Sequence, residues 1–185
     1  MATRAGRGHQ LHAGALRASG DVLWFLHADA EPPVDGVTLI RSRHLAGAAG
    51  GFFTFRFAGE TTWYKRVLAH LINWRTRFGT PYGDQGLFCG RATYDAVGGF
   101  ADTPLFEEVP LVRALRRRGT FTRLGAAIGV SPRRWERDGW LWRSAGNRLL
   151  ALAYLAGVPP RRLARRYQPL GPTELAELAE PDPEP

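Results

Sequence analysis

The residues Val22-Leu23-Trp24-Phe25-Leu26 run unbroken into His27-Ala28-Asp29-Ala30-Glu31-Pro32-Pro33. A short, continuous apolar run closed by a polar, proline-punctuated loop is the pattern of a buried parallel strand. The segments around it alternate in type. Helical patterning is expected over 9–19, with Gly20 placed to end it, and again over 36–46 and 61–78. In the last of these, Trp63, Val67, His70, Leu71 and Trp74 fall near one face. Strands are expected over 51–57, 87–90, 120–124 and 126–131, and helices over 91–97, 107–118, 138–156 and 159–167. This alternation predicts an α/β fold.

The chain has 185 residues, enough for one domain with a sizeable core. We expect that domain over 1–168, ending in basic helices, followed by a disordered acidic, proline-rich tail over 169–185. All 25 basic residues lie in 1–168, against twelve of the 17 acids, and only Lys65 is a lysine. Arginine forks suit phosphate and carboxylate, so a nucleoside diphosphate, an anionic lipid surface or a nucleic acid all match the charge. An arginine-rich coding bias, with solvated side chains, matches it too. No nucleic-acid reading motif is present and the basic residues are dispersed, so we expect no nucleic-acid partner. The stretch 140–154 suits a helix lying along a membrane headgroup layer. Cys89 is the single cysteine, which excludes an internal disulfide and favours a reducing, cytoplasmic location. It reads as a small core residue. No apolar run is long enough to span a bilayer, and no signal peptide is apparent. Trp63, Trp74, Trp140 and Trp142 read as packing residues.

Three segments could carry chemistry. Asp29 follows the first strand, where α/β sheets bind ligands and where a carboxylate can hold a hard divalent cation; a turn or cap residue fits the same position. Glu107-Glu108 opens a helix. A carboxylate there can act as a general base, and acids at helix starts are also common for electrostatic reasons alone. Ser131-Pro132-Arg133-Arg134-Trp135 offers arginines for a phosphate and a flat aromatic face, or simply a basic turn with one core ring.

Read in order, these segments resemble family 2 glycosyltransferases of GT-A fold. Residues 7–15, 18–23 and 25–29 resemble the family's run into its metal-binding acidic motif. Gly83-Asp84-Gln85-Gly86, Gly98-Gly99-Phe100 and Glu107-Glu108-Val109 resemble its acceptor-side loop, its glycine-glycine-phenylalanine turn and its catalytic acidic pair. Ser131 to Trp135 resembles its glutamine-x-x-arginine-tryptophan motif, with Ser131 at the glutamine position. The small bacterial subgroup linked with arsenosugar biosynthesis is the nearest in pattern. The resemblance covers roughly residues 4–168.

It implies a Rossmann-like mixed sheet with flanking helices and an inverting sugar transfer from a nucleotide-diphosphate donor to an acceptor hydroxyl. Mg²⁺ or Mn²⁺ would sit on Asp29. Glu108, beside Glu107, would take the acceptor proton. Arg7, Asp84, Gln85, Arg134 and Trp135 would line the donor and acceptor subsites. Many acceptors in the family are lipid-linked, which fits contact with the inner face of a membrane. Two departures bear on this. His27 stands where many relatives have a first aspartate, and Glu108 where they have the catalytic aspartate. A metal-ligand role for His27 is open but less favoured than that of a packed or hydrogen-bonding residue. Family members also begin with strands that build the nucleotide-base pocket, and this chain starts later. A start codon read too late, a short inactive binding form, or a second polypeptide supplying that layer would each account for this, and the first is favoured. Without those strands, residues 22–26 are expected to expose an unpaired edge prone to aggregation or homodimer formation.

Overall fold

The computed structural model describes residues 6–165 and Tyr167; the tail expected over 169–185 lies outside them. Its centre is the phenylalanine-rich strand β3 (Gly50–Phe57). Strand alternation sends Phe52 to one face and Phe53, Phe55 and Phe57 to the other. All four rings are buried, so the strand must be covered on both sides.

Five strands form one mixed sheet: β1 (Val22–Trp24), β2 (Ala30–Glu31), β3, β4 (Phe88–Gly90) and β5 (Phe121–Val130). Their order is β1-β4-β3-β5-β2. β3 and β5 are parallel, while β4 runs antiparallel to both β1 and β3, and β2 antiparallel to β5. Gly51 makes this pairing possible: a Cβ there would lie 2.3 Å from the Thr122 carbonyl oxygen.

On the Phe52 face lie α1 (Arg7–Arg17), α4 (Arg91–Ala96) and α5 (Glu108–Arg118), which contribute Ala15, Tyr94, Leu111, Val112 and Leu115 to the core. On the other face, α2 (Gly36–Leu45) packs Ile40 near Phe53. Beyond it, α3 (Trp63–Arg75) and α6 (Arg133–Asp138) cover Phe55 and Phe57 with Ile72 and Trp135. The last helices, α7 (Trp140–Leu155) and α8 (Pro160–Ala164), meet Phe106 and Val109 through Tyr154 and Leu163. The α/β class expected from the sequence is therefore present, as a five-stranded mixed sheet with flanking helices.

Several expectations need correction. β1 points the same way as β3 and β5, but it pairs only with antiparallel β4 and lies at the sheet edge. Among the described residues no strand pairs with its outer side, so the expected open edge is there. The two strands expected over 120–131 are one. The register against β3 slips between Phe53 and Thr54, and the Thr54 hydroxyl donates to the Leu124 carbonyl across the bulge at 2.8 Å. The helix expected over 138–156 starts at Trp140, because Gly139 at φ 83 separates it from α6. Trp63, Trp74 and Trp142 are exposed and are not core residues; Trp140 does pack, edge-on to Phe57. Cys89 is buried, and burial pushes its thiol up to about 12. Among the described residues no helix is long and apolar enough to cross a membrane.

Candidate active site

β1, β3 and β5 point one way, so their carboxyl ends gather at one edge of the molecule. The loop after β1 there carries His27 and Asp29, and the chain after β5 carries Ser131 and α6. Together with the turn at 82–84, the start of α5 and one side of α7 they enclose a cleft of about 190 Å³. Its walls include Arg7, Asp29, Asp84, Glu108, Arg134 and Trp135, residues nominated from five separate stretches of sequence.

Glu108 is the buried carboxylate of this cleft, only 2% exposed. The preceding Phe106 adopts φ 60, a left-handed conformation that costs a bulky residue on the order of 1–3 kcal/mol. Its ring is held between Tyr82 and Tyr154. This turn delivers two adjacent acids to different places. Glu107 faces Arg7, whose Nε donates to Oε1 at 2.5 Å, while Glu108 faces the cleft with its Oε2 unpartnered by any hydrogen bond. Arg7 Nη2 lies 3.7 Å from that same oxygen. Burial first, and repulsion from Glu107 second, push the Glu108 carboxyl up to about 7, against the pull of Arg7. Burial opposes the charge on Arg7, but Glu108 and Glu107 outweigh it and hold the guanidinium protonated.

Asp29 is engaged on one side by Arg133 Nη2 at 2.9 Å. Of the two roles expected for His27, packed or hydrogen-bonding, its Nε2 fits the packed one: it is buried without a partner. Burial, then Arg7, lower its pKa and favour the neutral ring. Gly83 leaves room for it, since a Cβ there would meet His27 Nε2 at 3.2 Å. Arg134 Nη1 and Arg143 Nη2 both donate to the Tyr167 hydroxyl, at 2.6 and 2.9 Å, which sets two guanidinium groups side by side on the cleft wall.

Three nominated residues have other work. Gln85 is fully buried and does not line the cleft; its Nε2 donates to the Phe53 carbonyl. Asn73 binds both backbone groups of Phe55 at 2.8 Å, so Gln85 and Asn73 together stand in for a strand along β3 beyond short β4. Glu107 anchors Arg7 and does not reach the cleft. Trp135 borders the cleft but is buried, packed edge-to-face with Phe57, and its Nε1 donates to the Ser144 hydroxyl. The sequence reading named Arg133 only as one of the arginines of 131–135, and missed Tyr82, Arg143, Asn147 and Tyr167. Arg143, Asn147 and Leu150 were findable from their i, i+4, i+7 spacing, which puts them on one face of α7.

The cleft can receive an anion, through Arg7, Arg133, Arg134 and Arg143, and can take up a proton at Glu108. For a divalent cation the cleft walls offer Asp29 and His27. Asp29 supplies one hard oxygen and His27 a neutral nitrogen. Among the described residues there is no cluster of three or more protein ligands, so the remaining positions would fall to substrate phosphates and water. No protein-family model, curated protein or solved structure matches the chain.

Proposed function

We propose that this chain is a metal-assisted, inverting glycosyltransferase of GT-A type, moving a sugar from a nucleotide-diphosphate donor to an acceptor hydroxyl. The observation that carries the reading is that Asp29 and Glu108, 79 positions apart, line the same cleft. Around them lie paired arginines suited to a diphosphate.

Glu108 accepts the proton of the acceptor hydroxyl. The freed oxygen forms a bond to the anomeric carbon as the bond from that carbon to the diphosphate oxygen breaks, and the electron pair leaves with the nucleoside diphosphate. Arg134 and Arg143 neutralise the charge that grows there. Asp29 and His27 would hold Mg²⁺ or Mn²⁺, which supplies Lewis-acid stabilisation of the leaving group when bound. Arg7 keeps Glu108 ionisable near neutral pH. Asp84 borders the sugar side.

The test is turnover of a panel of nucleotide-diphosphate sugars with Mn²⁺ and mixed hydroxyl acceptors, for the chain and for its Asp29→Ala and Glu108→Gln forms. Transfer lost in both supports the assignment; full activity retained in both removes it. A second reading, a binding module that holds a phosphorylated ligand without turnover, is favoured by one contact: Arg133 already occupies Asp29. Tight nucleoside-diphosphate binding without Mn²⁺ dependence and without turnover would select it.

A further inference from the structure

Helices α3 and α7 each carry an exposed apolar stripe. On α3, Trp63, Val67, Leu71 and Trp74 recur at helical spacing, with Trp63 and Trp74 being 71% and 54% exposed. On α7, Leu141, Trp142, Leu149 and Leu152 do the same, with Trp142 being 83% exposed. Monomeric surfaces rarely carry contiguous patches of this kind without using them. The two helices meet at one end and are bridged further along by residues of other segments. Tyr64 meets Trp140 at 4.9 Å between ring centroids, and further along, Arg75 of α3 sits over Tyr82, which touches Phe106, which in turn touches Tyr154 of α7.

The charge around the stripes selects their partner. Residues 61–83 and 139–167 contain no acid, and the exposed Arg66, Arg77, Arg148, Arg161 and Arg162 lie along or beside them. Two copies packed stripe to stripe would bring these cations together, whereas an anionic lipid surface would neutralise them. Tryptophan and leucine on one side and arginine at the margins are the composition of helices that lie in a headgroup layer.

We infer that α3 and α7 form one docking surface for the face of an anionic lipid bilayer. α7 is then oriented by its own two sides: Arg143, Asn147 and Leu150 line the cleft, and the opposite side meets lipid. The cleft therefore opens within about one helix diameter, roughly 10 Å, of the headgroups. This inference does not depend on the transfer reaction.

The full chain is mixed with phosphatidylcholine vesicles, with and without phosphatidylglycerol, and followed by co-sedimentation and tryptophan emission. Binding to the anionic vesicles is expected, with a blue shift, weakening in high salt. Trp74→Ser with Trp142→Ser should lower vesicle affinity about tenfold or more, and Arg66→Ser with Arg148→Ser should remove the preference for anionic lipid. Both pairs are exposed, so circular dichroism should be unchanged. Equal or absent binding to the two vesicle types overturns the inference, as does undiminished binding by the tryptophan variant. A dimer in sedimentation velocity that the tryptophan substitutions dissociate assigns the stripes to a second copy and also overturns it.

Discussion

Arg7 Nε donates to Glu107 Oε1 at 2.5 Å, joining residues one hundred positions apart. Glu107 is almost wholly buried while Arg7 remains partly open to solvent, so the acid fixes the guanidinium, whose Nη2 lies 3.7 Å from Glu108 Oε2. Two neighbouring acids thereby acquire different roles. Glu107 holds the cation, and the cation steadies the charge of Glu108.

If Glu108 is the proton acceptor, the rate should rise with pH through about 7, since only the ionised form accepts. Arg7→Ala removes the cation that lowers this value, so the rising limb should move to higher pH. Arg7→Lys should move it partly back. A pH-rate profile that is flat across this range in the parent chain would exclude Glu108 as the base.

Glu108→Gln keeps shape and removes the proton acceptor. Turnover should fall by about 10²–10⁴. Stability should change in the opposite sense. The folded-state value of Glu108 lies above its unfolded one, so its contribution is fully present at low pH and is lost as pH rises through about 7. Above that pH the variant should unfold at a higher temperature than the parent chain, and the difference should shrink toward pH 4–5, as read by thermal melts.

The ion pair of Asp29 with Arg133 should compete with a cation. Arg133→Ser should tighten Mn²⁺ binding measured by calorimetry with nucleoside diphosphate present, and Asp29→Asn should weaken it. No change in either variant would separate Asp29 from the metal.

Tyr167→Phe removes the acceptor shared by Arg134 and Arg143. Each such hydrogen bond contributes about 1 kcal/mol, so kcat/KM for the donor should fall by roughly fivefold or more, read by steady-state kinetics.

Phe53 has no exposed surface and stacks on Trp24. Phe53→Ala should cost about 3–5 kcal/mol of unfolding free energy by denaturant titration. Gly51→Ala should also destabilise, because the Thr122 carbonyl already occupies the space.

Much of this molecule was legible in one dimension. Apolar runs and periodicity placed most helices and most strands to within a few residues, because burial on one face imposes its spacing on the chain; α6, in a stretch read as a motif or a basic turn, was not among them. The ordered acids and arginines marked the cleft, and Asp29, Asp84, Glu108 and Arg134 do line it. What failed was the reading of residues whose surroundings come from elsewhere in the chain. Gln85 looked like a ligand-facing amide, yet β4 is too short to satisfy β3, and the open Phe53 carbonyl draws Gln85 inward. Trp63, Trp74 and Trp142 looked like core because tryptophan usually buries. Each lies on the outward side of a helix whose inward side was already supplied, by Ile72 in α3 and by Leu150 in α7.

The sequence by itself determined the alternation of elements, a strand over 51–57, and the chemical types available for a site. Only the tertiary structure decided that β1 pairs through an antiparallel neighbour, that Glu107 and Glu108 part company, and that Arg133 rests on Asp29. The reason is physical. Periodicity is a local consequence of burial, whereas the protonation and pairing of a charge depend on which distant groups the fold brings within a few ångströms of it.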